Sequence, residues 1–312
     1  MKVGLDVLGG DFAPDANVLG AVKAREDLSD RAEIVLIGDQ PEIERVLSEN
    51  GHATDLFEIV HTTENITMHD HPTKAFLKKP NSSIALGFKM LQEGSINAFS
   101  STGNTGAMLV GSMYTIRTIP GVIRPCITTA LPILNGGVSI LLDVGINSDC
   151  KADVLYQFGV LGSMMAEQIY NIENPKVGLI NIGEEEEKGN MLTQAAHQLM
   201  KDAQEFNFIG NIEGRELFTG KADVIVCDGF TGNVILKQAE ALYYLLKKRQ
   251  IEDEYFERFN YEIYGGTPVL GVNGNVIIGH GISNANAVKN MVKLSVDTAE
   301  AKLADRIRKV FK

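Results

Sequence analysis

The sequence lacks any long hydrophobic run. No stretch of about 18 consecutive apolar residues occurs in its 312 positions, so we expect no transmembrane helix. The chain enters a strand-like stretch, MKVGLDVLGG, at its first residues, without the charged and apolar regions of a signal peptide. These two absences predict a cytoplasmic protein.

Cysteine and positive charge are both scarce. Cys126, Cys150 and Cys227 are far apart, odd in number and match no metal-ligand spacing, which predicts reduced, buried thiols. Lys and Arg total 29 against 40 Asp and Glu, giving a net charge of −11. This balance excludes a general nucleic-acid-binding surface. An acidic partner would have to meet a local basic patch in HPTKAFLKKP, LLKKRQ or the C-terminal helix.

Several familiar catalytic motifs are also missing. The sequence contains no P-loop, no G-x-S-x-G nucleophile elbow and no complete G-x-G-x-x-G after its first strand. Four successive acids, Glu184 to Glu187, stand at a predicted helix start, where they more often complement the helix dipole than bind metal. We therefore expect neither a metal nor a cofactor.

Short apolar runs alternate with helical patterns along the whole chain, which predicts an α/β protein with a mostly parallel sheet. We expect one α/β domain over residues 1–312, a three-layer α/β/α sandwich with a short helical segment at 247–264. An Asn-Gly-Gly turn at 135–137 predicts one antiparallel hairpin. The predicted strands are 2–8, 33–38, 57–61, 96–100, 127–132, 138–144, 176–182, 206–209 and 223–227. The predicted helices are 17–28, one from 41, 82–92, one from 105, 153–170, 191–203, 233–248, 252–259 and a last amphipathic helix over 288–310.

The stretch AFSSTGNTGAMLVG, residues 98–111, is the first candidate site. It predicts a strand, a polar loop and a helix beginning near Thr105. Small and amide-bearing residues let a ligand approach the backbone, and a helix N-terminus leaves amides free for an anion. The candidates for anion binding are Thr102, Gly103, Asn104, Thr105 and Gly106. A well-capped turn without a ligand is the alternative.

Other predicted strand ends carry similar polar, glycine-containing loops. Such loops converge at the carboxyl edge of a parallel sheet, and their amides and carboxamides suit a phosphate and an acyl oxyanion. His280 lies between two glycines and is either a general acid or base or a structural histidine. The polar loops at the predicted strand ends lie at 6–11 with Asp6 and Asp11, 143–147, 181–189, 228–233 with Asp228, 271–274 and 279–281.

The candidate cationic partners of a phosphate or thioester are Lys74, Lys78, Arg124 and Lys188.

Taken together, the ordered motifs resemble those of the bacterial phosphate acyltransferases of phospholipid synthesis. The motifs are LDVLGGDFAP, SSTGNTGAML, IRPC, LDVGIN, NIGEEEEKGN, CDGFTGNV, YGGTPVLGVNG and GHGISNA. The resemblance implies a fold similar to that of isocitrate and isopropylmalate dehydrogenases and phosphate acetyltransferases, commonly as a homodimer. Family members usually carry a longer helical insert before YGGTPVLG, implicated in membrane contact. Here only 247–264 fills that place, which puts peripheral membrane association in doubt.

The resemblance implies transfer of a fatty acyl group from acyl-acyl carrier protein to inorganic phosphate, giving acyl phosphate for phosphatidic acid synthesis. Phosphate would bind the amides of residues 103–106 and attack the thioester directly. Asn147, Asn233 and His280 are the candidate catalytic donors to the thioester oxygen. Asp6, Asp11, Arg124, Lys188 and Asp228 are further substrate-binding candidates. A membrane acyl-phosphate:glycerol-3-phosphate acyltransferase would use the product.

Three other functions remain open at this point. A coenzyme A-dependent phosphate acyltransferase shares the implied fold, although its motifs differ. A metal- and nicotinamide-dependent decarboxylating dehydrogenase also shares it, but would need an arginine cluster and metal-binding aspartates. A non-catalytic recruiter of a membrane acyltransferase would bind carrier protein or membrane without phosphate-dependent turnover.

Overall fold

The computed structural model describes all residues, 1–312, which form two compact units. The first unit comprises Met1–Thr118 and Tyr261–Ala304, and the second comprises Ile119–Asn260 and Asp305–Lys312. Both units combine strands with flanking helices, as expected for an α/β protein. None of the helices is both long enough and apolar enough to cross a membrane.

Eleven strands and twelve α-helices follow one another along the chain. The strands are β1 Lys2–Asp6, β2 Glu33–Gly38, β3 Glu58–His61, β4 Ala98–Ser101, β5 Cys126–Pro132, β6 Val138–Leu142, β7 Lys176–Asn181, β8 Asn207–Glu213, β9 Val224–Val226, β10 Thr267–Leu270 and β11 Asn275–Ile278. The helices are α1 Asp15–Leu28, α2 Gln40–Glu49, α3 Pro72–Lys78, α4 Ser83–Glu93, α5 Thr105–Gly111, α6 Ala152–Tyr170, α7 Met191–Met200, α8 Gly229–Lys248, α9 Glu254–Glu257, α10 Tyr261–Tyr264, α11 Ala285–Glu300 and α12 Leu303–Val310.

In the first unit the strand order is β3-β2-β1-β4-β11-β10. Every neighbouring pair is parallel except β11 with β10, which is antiparallel. Helices α1 and α11 pack together, and their buried faces join the apolar side chains of β1 and β2 in one core. Because β1, β4 and β11 run parallel, their carboxyl ends lie at one edge of the sheet.

In the second unit the order is β5-β6-β9-β7-β8. The β5–β6 hairpin is antiparallel, with Thr128 opposite Leu142, and confirms the hairpin predicted from the Asn-Gly-Gly turn. The pairs β6–β9, β9–β7 and β7–β8 are parallel. The carboxyl ends of β6, β9 and β7 therefore share one edge of this sheet.

Two strands were not predicted, and two predictions about helices were wrong. The glycine-rich segment before His280 contains β10 and β11, whose short strands are stabilised by pairing, β11 with β4. Helix α8 begins at Gly229, one turn earlier than expected, because Asp228 caps it and its glycines pack closely. The last helix is two helices, since Lys302 between them has a left-handed φ of +52°.

Candidate functional site

The buried carboxylate of Asp6 joins two loops of the first unit. Its Oδ2 accepts a hydrogen bond of 2.6 Å from Ser101 Oγ, and its Oδ1 accepts one of 2.9 Å from the Leu8 amide. The Gly103 amide donates in turn to Ser101 Oγ at 2.9 Å. Burial raises the pKa of Asp6 above its usual 3.8, although the hydrogen bonds act in the opposite direction. We call this set the Asp6 network.

The backbones of the two loops approach each other closely at Gly9 and Gly103. A Cβ atom on Gly9 would lie 2.6 Å from both Cα and N of Gly103 and 2.6 Å from Asp6 Oδ2. Thr102 Oγ1 donates to the Gly9 carbonyl at 2.9 Å, and Asn17 Nδ2 donates to the same carbonyl at 2.8 Å. Only glycine fits at position 9 without moving the backbone of the other loop.

The loop after β11 is bound to the other two. The Gly279 amide donates to the Ser101 carbonyl at 2.9 Å, and the Asp11 amide donates to the Gly281 carbonyl at 2.7 Å. The Asp11 side chain itself is exposed. Three strand-end loops therefore meet in the first unit, as the sequence predicted for loops at the carboxyl edge.

Asn104 links the anion-binding candidate to a third part of the chain. Its Oδ1 caps α5 by accepting from the Ala107 amide at 3.0 Å, while its Nδ2 donates to the Thr67 carbonyl at 2.9 Å and the Asp70 carbonyl at 3.1 Å. Lys79 Nζ lies 2.7 Å from Asp70 Oδ2 and lowers the pKa of that carboxyl. Asn104 is thus held by a loop that an ion pair fixes in turn.

The first amides of α5 precede the first intrahelical hydrogen bond. That bond runs from the Met108 amide to the Asn104 carbonyl at 3.0 Å. Thr105 is exposed and Gly106 is partly exposed, so their amides form the open end of the helix. The Gly103 amide, by contrast, is used inside the Asp6 network. The anion-binding candidate of the first unit is therefore centred on Thr105 and Gly106.

His280 and two candidate cations also lie in the first unit. The His280 imidazole is half-buried and its ring centroid lies 5.0 Å from that of Tyr261. The His280 carbonyl accepts from the Ser283 amide at 3.0 Å, which closes the turn after β11. Lys74 and Lys78 lie on α3 with exposed side chains.

Asp143 organises the second unit as Asp6 organises the first. It is fully buried directly after β6, and its carboxylate accepts hydrogen bonds from the Ile127 amide at 3.1 Å, the Ile146 amide at 3.2 Å and the Asn147 amide at 2.7 Å. These bonds fold the 143–147 loop around the carboxylate. We call this set the Asp143 network.

Asn147 is part of the Asp143 network. Its Nδ2 donates to the Pro125 carbonyl at 2.8 Å and to Asp143 Oδ2 at 2.9 Å, which uses both amide hydrogens. Its carbonyl accepts from the Gly229 amide at 2.7 Å. Both side-chain amide hydrogens of Asn147 are therefore used within the unit.

Asn233 differs from Asn147 in this respect. Its Nδ2 donates one hydrogen bond of 3.2 Å to the Val144 carbonyl, and the side chain is half-buried. One amide hydrogen thus remains for a ligand. Asp228, one turn earlier, caps α8, because its carboxylate accepts from the Thr231 amide at 2.9 Å and the Thr231 hydroxyl at 2.8 Å.

The two candidate cations of the second unit, Arg124 and Lys188, are exposed. Arg124 donates to the Asp149 carbonyl at 3.0 Å, and Lys188 contributes its carbonyl to Asn181 Nδ2 at 3.1 Å. Glu184, Glu213 and Glu216 offer carboxylate oxygens close enough together to hold a metal ion. Lys221 Nζ, however, lies 2.6 Å from both Glu184 and Glu216, so an ammonium group already balances this cluster.

A pocket of about 500 Å³ opens at the carboxyl ends of β7 and β9. Its floor is formed by Leu155, Leu179 and Cys227, all buried. We call it the α7 pocket, because Asn190 and Thr193 of that helix terminus form one wall. Its complete lining is Leu155, Leu179, Ile180, Asn181, Ile182, Gly189, Asn190, Thr193, Cys227, Asp228 and Thr231.

All three cysteines are free, as the sequence predicted. Cys126 and Cys227 are buried, and burial raises the pKa of each thiol well above its usual value. Cys150 is half-buried, and burial together with Asp143 raises its pKa to about 12. Thiols with raised pKa values make poor nucleophiles.

Ser101 and Asp143 are absent from the sequence-based candidates, yet they hold the two networks together. A signal for Asp143 does exist in the sequence, since Leu-Asp-Val follows an apolar run both at 5–7 and at 142–144. A charged residue directly after a buried strand is costly unless the fold satisfies it. Ser101 has no such signal, because its partner lies 95 positions away.

Comparisons with known sequences agree on one family. The family model described as "Fatty acid synthesis protein" matches residues 1–306. A phosphate acyltransferase of Dictyoglomus turgidum is 41% identical over 314 residues, covering 95% of this chain and 93% of the relative. A phosphate acyltransferase of Desulforamulus reducens is 42% identical over 326 residues, covering 99% of this chain and 96% of the relative.

Solved structures agree on the fold. A phosphotransacetylase from Streptococcus pyogenes superposes with a TM-score of 0.66 at 18% identity, covering 96% of this chain and 94% of that one. A 4-hydroxythreonine-4-phosphate dehydrogenase from Klebsiella pneumoniae superposes with a TM-score of 0.57 at 12% identity, covering 96% of this chain and 99% of that one. The dehydrogenase-like α/β sandwich implied by the sequence motifs is thereby confirmed. From the family model and the full-length relatives, the chain belongs to the bacterial phosphate acyltransferase family and is an acyltransferase that uses phosphate as acceptor.

Proposed function

We propose that the enzyme transfers a fatty acyl group from acyl-acyl carrier protein to inorganic phosphate. The products are acyl phosphate and the free carrier protein thiol. The observation that carries the proposal is the open end of α5, where the Thr105 and Gly106 amides stand beside the Asp6 network. A helix N-terminus with free amides binds phosphate without any charged side chain.

Phosphate is held in this proposal by the backbone at residues 103–106, with Thr102 and Asn104 fixing the loop. The Gly103 amide stabilises the loop through Ser101, while Thr105 and Gly106 contact the anion. Asp6 and Asp228 support their loops through carboxylate hydrogen bonds, and Asp11 does so through its backbone amide. None of the three carboxylates contacts the anion in our proposal, because a carboxylate would repel it. Arg124 and Lys188 are exposed and available to an acidic substrate.

The chemical step is a direct displacement. A phosphate oxygen forms a bond to the thioester carbon, the carbon–sulfur bond breaks and the pantetheine sulfur leaves as a thiolate. Alignment of the two reactants supplies up to about 7–11 kcal/mol of the acceleration. We assign no role to an enzyme thiol, because Cys126 and Cys227 are buried and Cys150 is half-buried with a raised pKa.

Negative charge that develops on the thioester oxygen needs a hydrogen-bond donor. We assign this role first to Asn233, whose Nδ2 has one hydrogen left after its bond to Val144. His280 remains a second candidate donor. Asn147 orients the 143–147 loop in our account, because both of its amide hydrogens are already used. A single oxyanion donor contributes about 3–4 kcal/mol in well-studied enzymes.

We place the enzyme in the cytoplasm as a homodimer, supplying acyl phosphate for phosphatidic acid synthesis to a membrane acyl-phosphate:glycerol-3-phosphate acyltransferase. A peripheral position at the inner face of the membrane would shorten the path of the apolar product. In the segment 247–264, Tyr255, Phe256 and Phe259 pack on one another.

The test follows thiol release from palmitoyl-acyl carrier protein with and without inorganic phosphate, with palmitoyl-coenzyme A in parallel. Hydroxylamine converts any acyl phosphate to a hydroxamate that mass spectrometry identifies. We expect phosphate-dependent thiol and hydroxamate in equal amounts, with carrier protein as the preferred donor. Release from coenzyme A alone would contradict the proposed donor, and no release from either would contradict the proposed function.

A further inference from the structure

The α7 pocket offers a ligand an apolar floor. Leu155, Leu179 and Cys227 are at most 2% exposed, and Ile180 adds to the same surface. Ile182 lines the pocket as well but is 79% exposed, so it lies where the pocket meets solvent. The volume of about 500 Å³ falls within the range of small-molecule sites, about 300–1,000 Å³.

The polar side chains around this floor are occupied within the protein. Asn181 Nδ2 donates to the Lys188 carbonyl at 3.1 Å, and its Oδ1 accepts from the Ile182 amide at 2.9 Å. Asn190 Oδ1 accepts from the Thr193 amide at 2.9 Å, which caps α7. Asp228 is likewise bound to the start of α8. The pocket therefore offers shape and apolar contact more than free polar groups.

The charge of the lining excludes an anionic ligand. Asp228 is the only charged residue among those that line the pocket, and no Lys, Arg or His accompanies it. A phosphate or a nucleotide would meet a carboxylate and no cation. An uncharged hydrocarbon chain is not repelled by the carboxylate and needs no cation. Its binding is favoured by burial of apolar surface against the leucine floor.

We propose that the α7 pocket binds the hydrocarbon chain of the acyl group. This inference rests on the proposed function, since it names where the tail of that substrate lies. Asp228 and Thr231 belong both to the pocket and to the first turn of α8, the helix that also carries Asn233. The chain thus lies beside the helix that supplies the proposed oxyanion donor. The pocket then selects long acyl chains over short ones.

The experiment uses two variants that change the pocket in different ways. Thr193→Phe fills it from the α7 wall, and Ile182→Asp places a charge at its exposed end. Leu199→Phe and Leu199→Asp make the same changes on the outer face of α7, where Leu199 is 48% exposed and does not line the pocket. Because Ile182 is so exposed, Ile182→Asp leaves the fold intact, which circular dichroism checks.

The first readout is kcat/KM for palmitoyl and butyryl thioesters. We expect both pocket variants to lose about tenfold with palmitoyl, the effect of about two buried methylenes, and to change less than about twofold with butyryl. Both Leu199 variants should match the parent. Unchanged palmitoyl rates, or equal losses with both donors, would overturn the pocket assignment while phosphate-dependent turnover by the parent still supports the proposed function.

The second readout needs no turnover. Binding of methyl cis-parinarate, the uncharged ester of a fluorescent polyene fatty acid, is followed by its emission in each protein. We expect binding in the parent and both Leu199 variants, and a loss of about tenfold in affinity in the two pocket variants. This pattern supports the pocket even if the parent shows no phosphate-dependent thiol release. Equal binding by all five proteins would overturn it.

Discussion

Ser101 Oγ donates a hydrogen bond of 2.6 Å to Asp6 Oδ2 across 95 positions of sequence. The bond joins the last residue of β1 to the last residue of β4 and lies entirely in the protein interior. Through the Gly103 amide, it also fixes the loop that leads to the open end of α5. A buried acid with a raised pKa thus positions the proposed phosphate site without touching the phosphate.

Asp6→Asn tests the cost of this buried carboxylate. Because burial raises the folded-state pKa of Asp6 above 3.8, its contribution to the free energy of unfolding is fully present below pH 3.8. It is lost as the pH rises from there through the raised value, since the unfolded chain ionises more readily. Asparagine does not ionise, so the variant should gain stability relative to the parent by about 1.4 kcal/mol per pH unit across that window.

Urea unfolding of both proteins from pH 3.5 to 8 measures this difference. The exposed Asp55 serves as control, and Asp55→Asn should parallel the parent at every pH. If the plots of unfolding free energy against pH are also parallel for Asp6→Asn and the parent, burial does not shift the pKa of Asp6.

Gly9→Ala tests the close approach of the two loops. The new Cβ would meet the Gly103 backbone at 2.6 Å, so the loops must separate. We expect a loss of about 1–3 kcal/mol in the free energy of unfolding and of at least about tenfold in phosphate-dependent turnover. Gly214→Ala is the matched control, because a Cβ there has no atom within 4 Å. A Gly9→Ala enzyme with parental kinetics would refute the need for this contact.

Asn104→Ala removes both the cap of α5 and the two bonds to the 67–70 loop. We expect a loss of about 0.5–2 kcal/mol in stability from the cap and an increase of about tenfold in the KM for phosphate. Asn284→Ala removes a comparable cap from α11, whose Asn286 and Ala287 amides it accepts at 3.0 Å. It should cost similar stability and leave the KM for phosphate unchanged. An equal effect of both variants on the KM for phosphate would show that Asn104 acts only as a helix cap.

Asn233 and Asn147 should respond differently to replacement. Asn233→Ala removes the proposed oxyanion donor, and we expect kcat to fall about 100-fold or more with little loss of stability. Asn147→Ala removes the side-chain donor to the buried Asp143 carboxylate and the bond to the Pro125 carbonyl, so its main effect should be destabilisation of about 1–3 kcal/mol. Steady-state kinetics and thermal unfolding of the two variants separate these effects. A stable Asn233→Ala enzyme with parental kcat would remove Asn233 from the mechanism.

The cysteines should be nearly inert in the folded protein. With a pKa of about 12, Cys150 is ionised in only about one molecule in ten thousand at pH 8, and the other two thiols are buried. A disulfide reagent such as DTNB should therefore detect no fast-reacting thiol at pH 8 and all three after unfolding in urea. One thiol reacting within seconds in the native protein would contradict these surroundings.

The sequence predicted those elements whose signal is local. The apolar run EIVLIG matches β2 at both ends, and the polar loop before Thr105 was placed correctly at the start of α5. The helix of α8 was set too late, because two glycines at 229 and 232 argue against a helix. The helix has no room for a side chain at position 232, since a Cβ there would lie 1.9 Å from the Asp143 carbonyl oxygen.

The site residues also divide into those with a local sequence signal and those that depend on distant partners. Asp6 and Asn104 could be proposed from their own loops, as polar residues where a strand hands over to a helix. The roles of Ser101 and Asp143 depend on partners from other strands, which no spacing along the chain reveals. Strand β11 was missed for a related reason, because four residues between glycines become a strand only by pairing with β4.

The central claim is that phosphate itself attacks the thioester, and rapid mixing of the enzyme with palmitoyl-acyl carrier protein in phosphate-free buffer tests it directly. Thiol release is followed in time, and the intact protein mass is recorded before and after phosphate is added. The account predicts no thiol and no acylated enzyme until phosphate is present, then steady release without a burst. A burst of thiol equal to the enzyme concentration, with an acyl adduct on the chain, would contradict it.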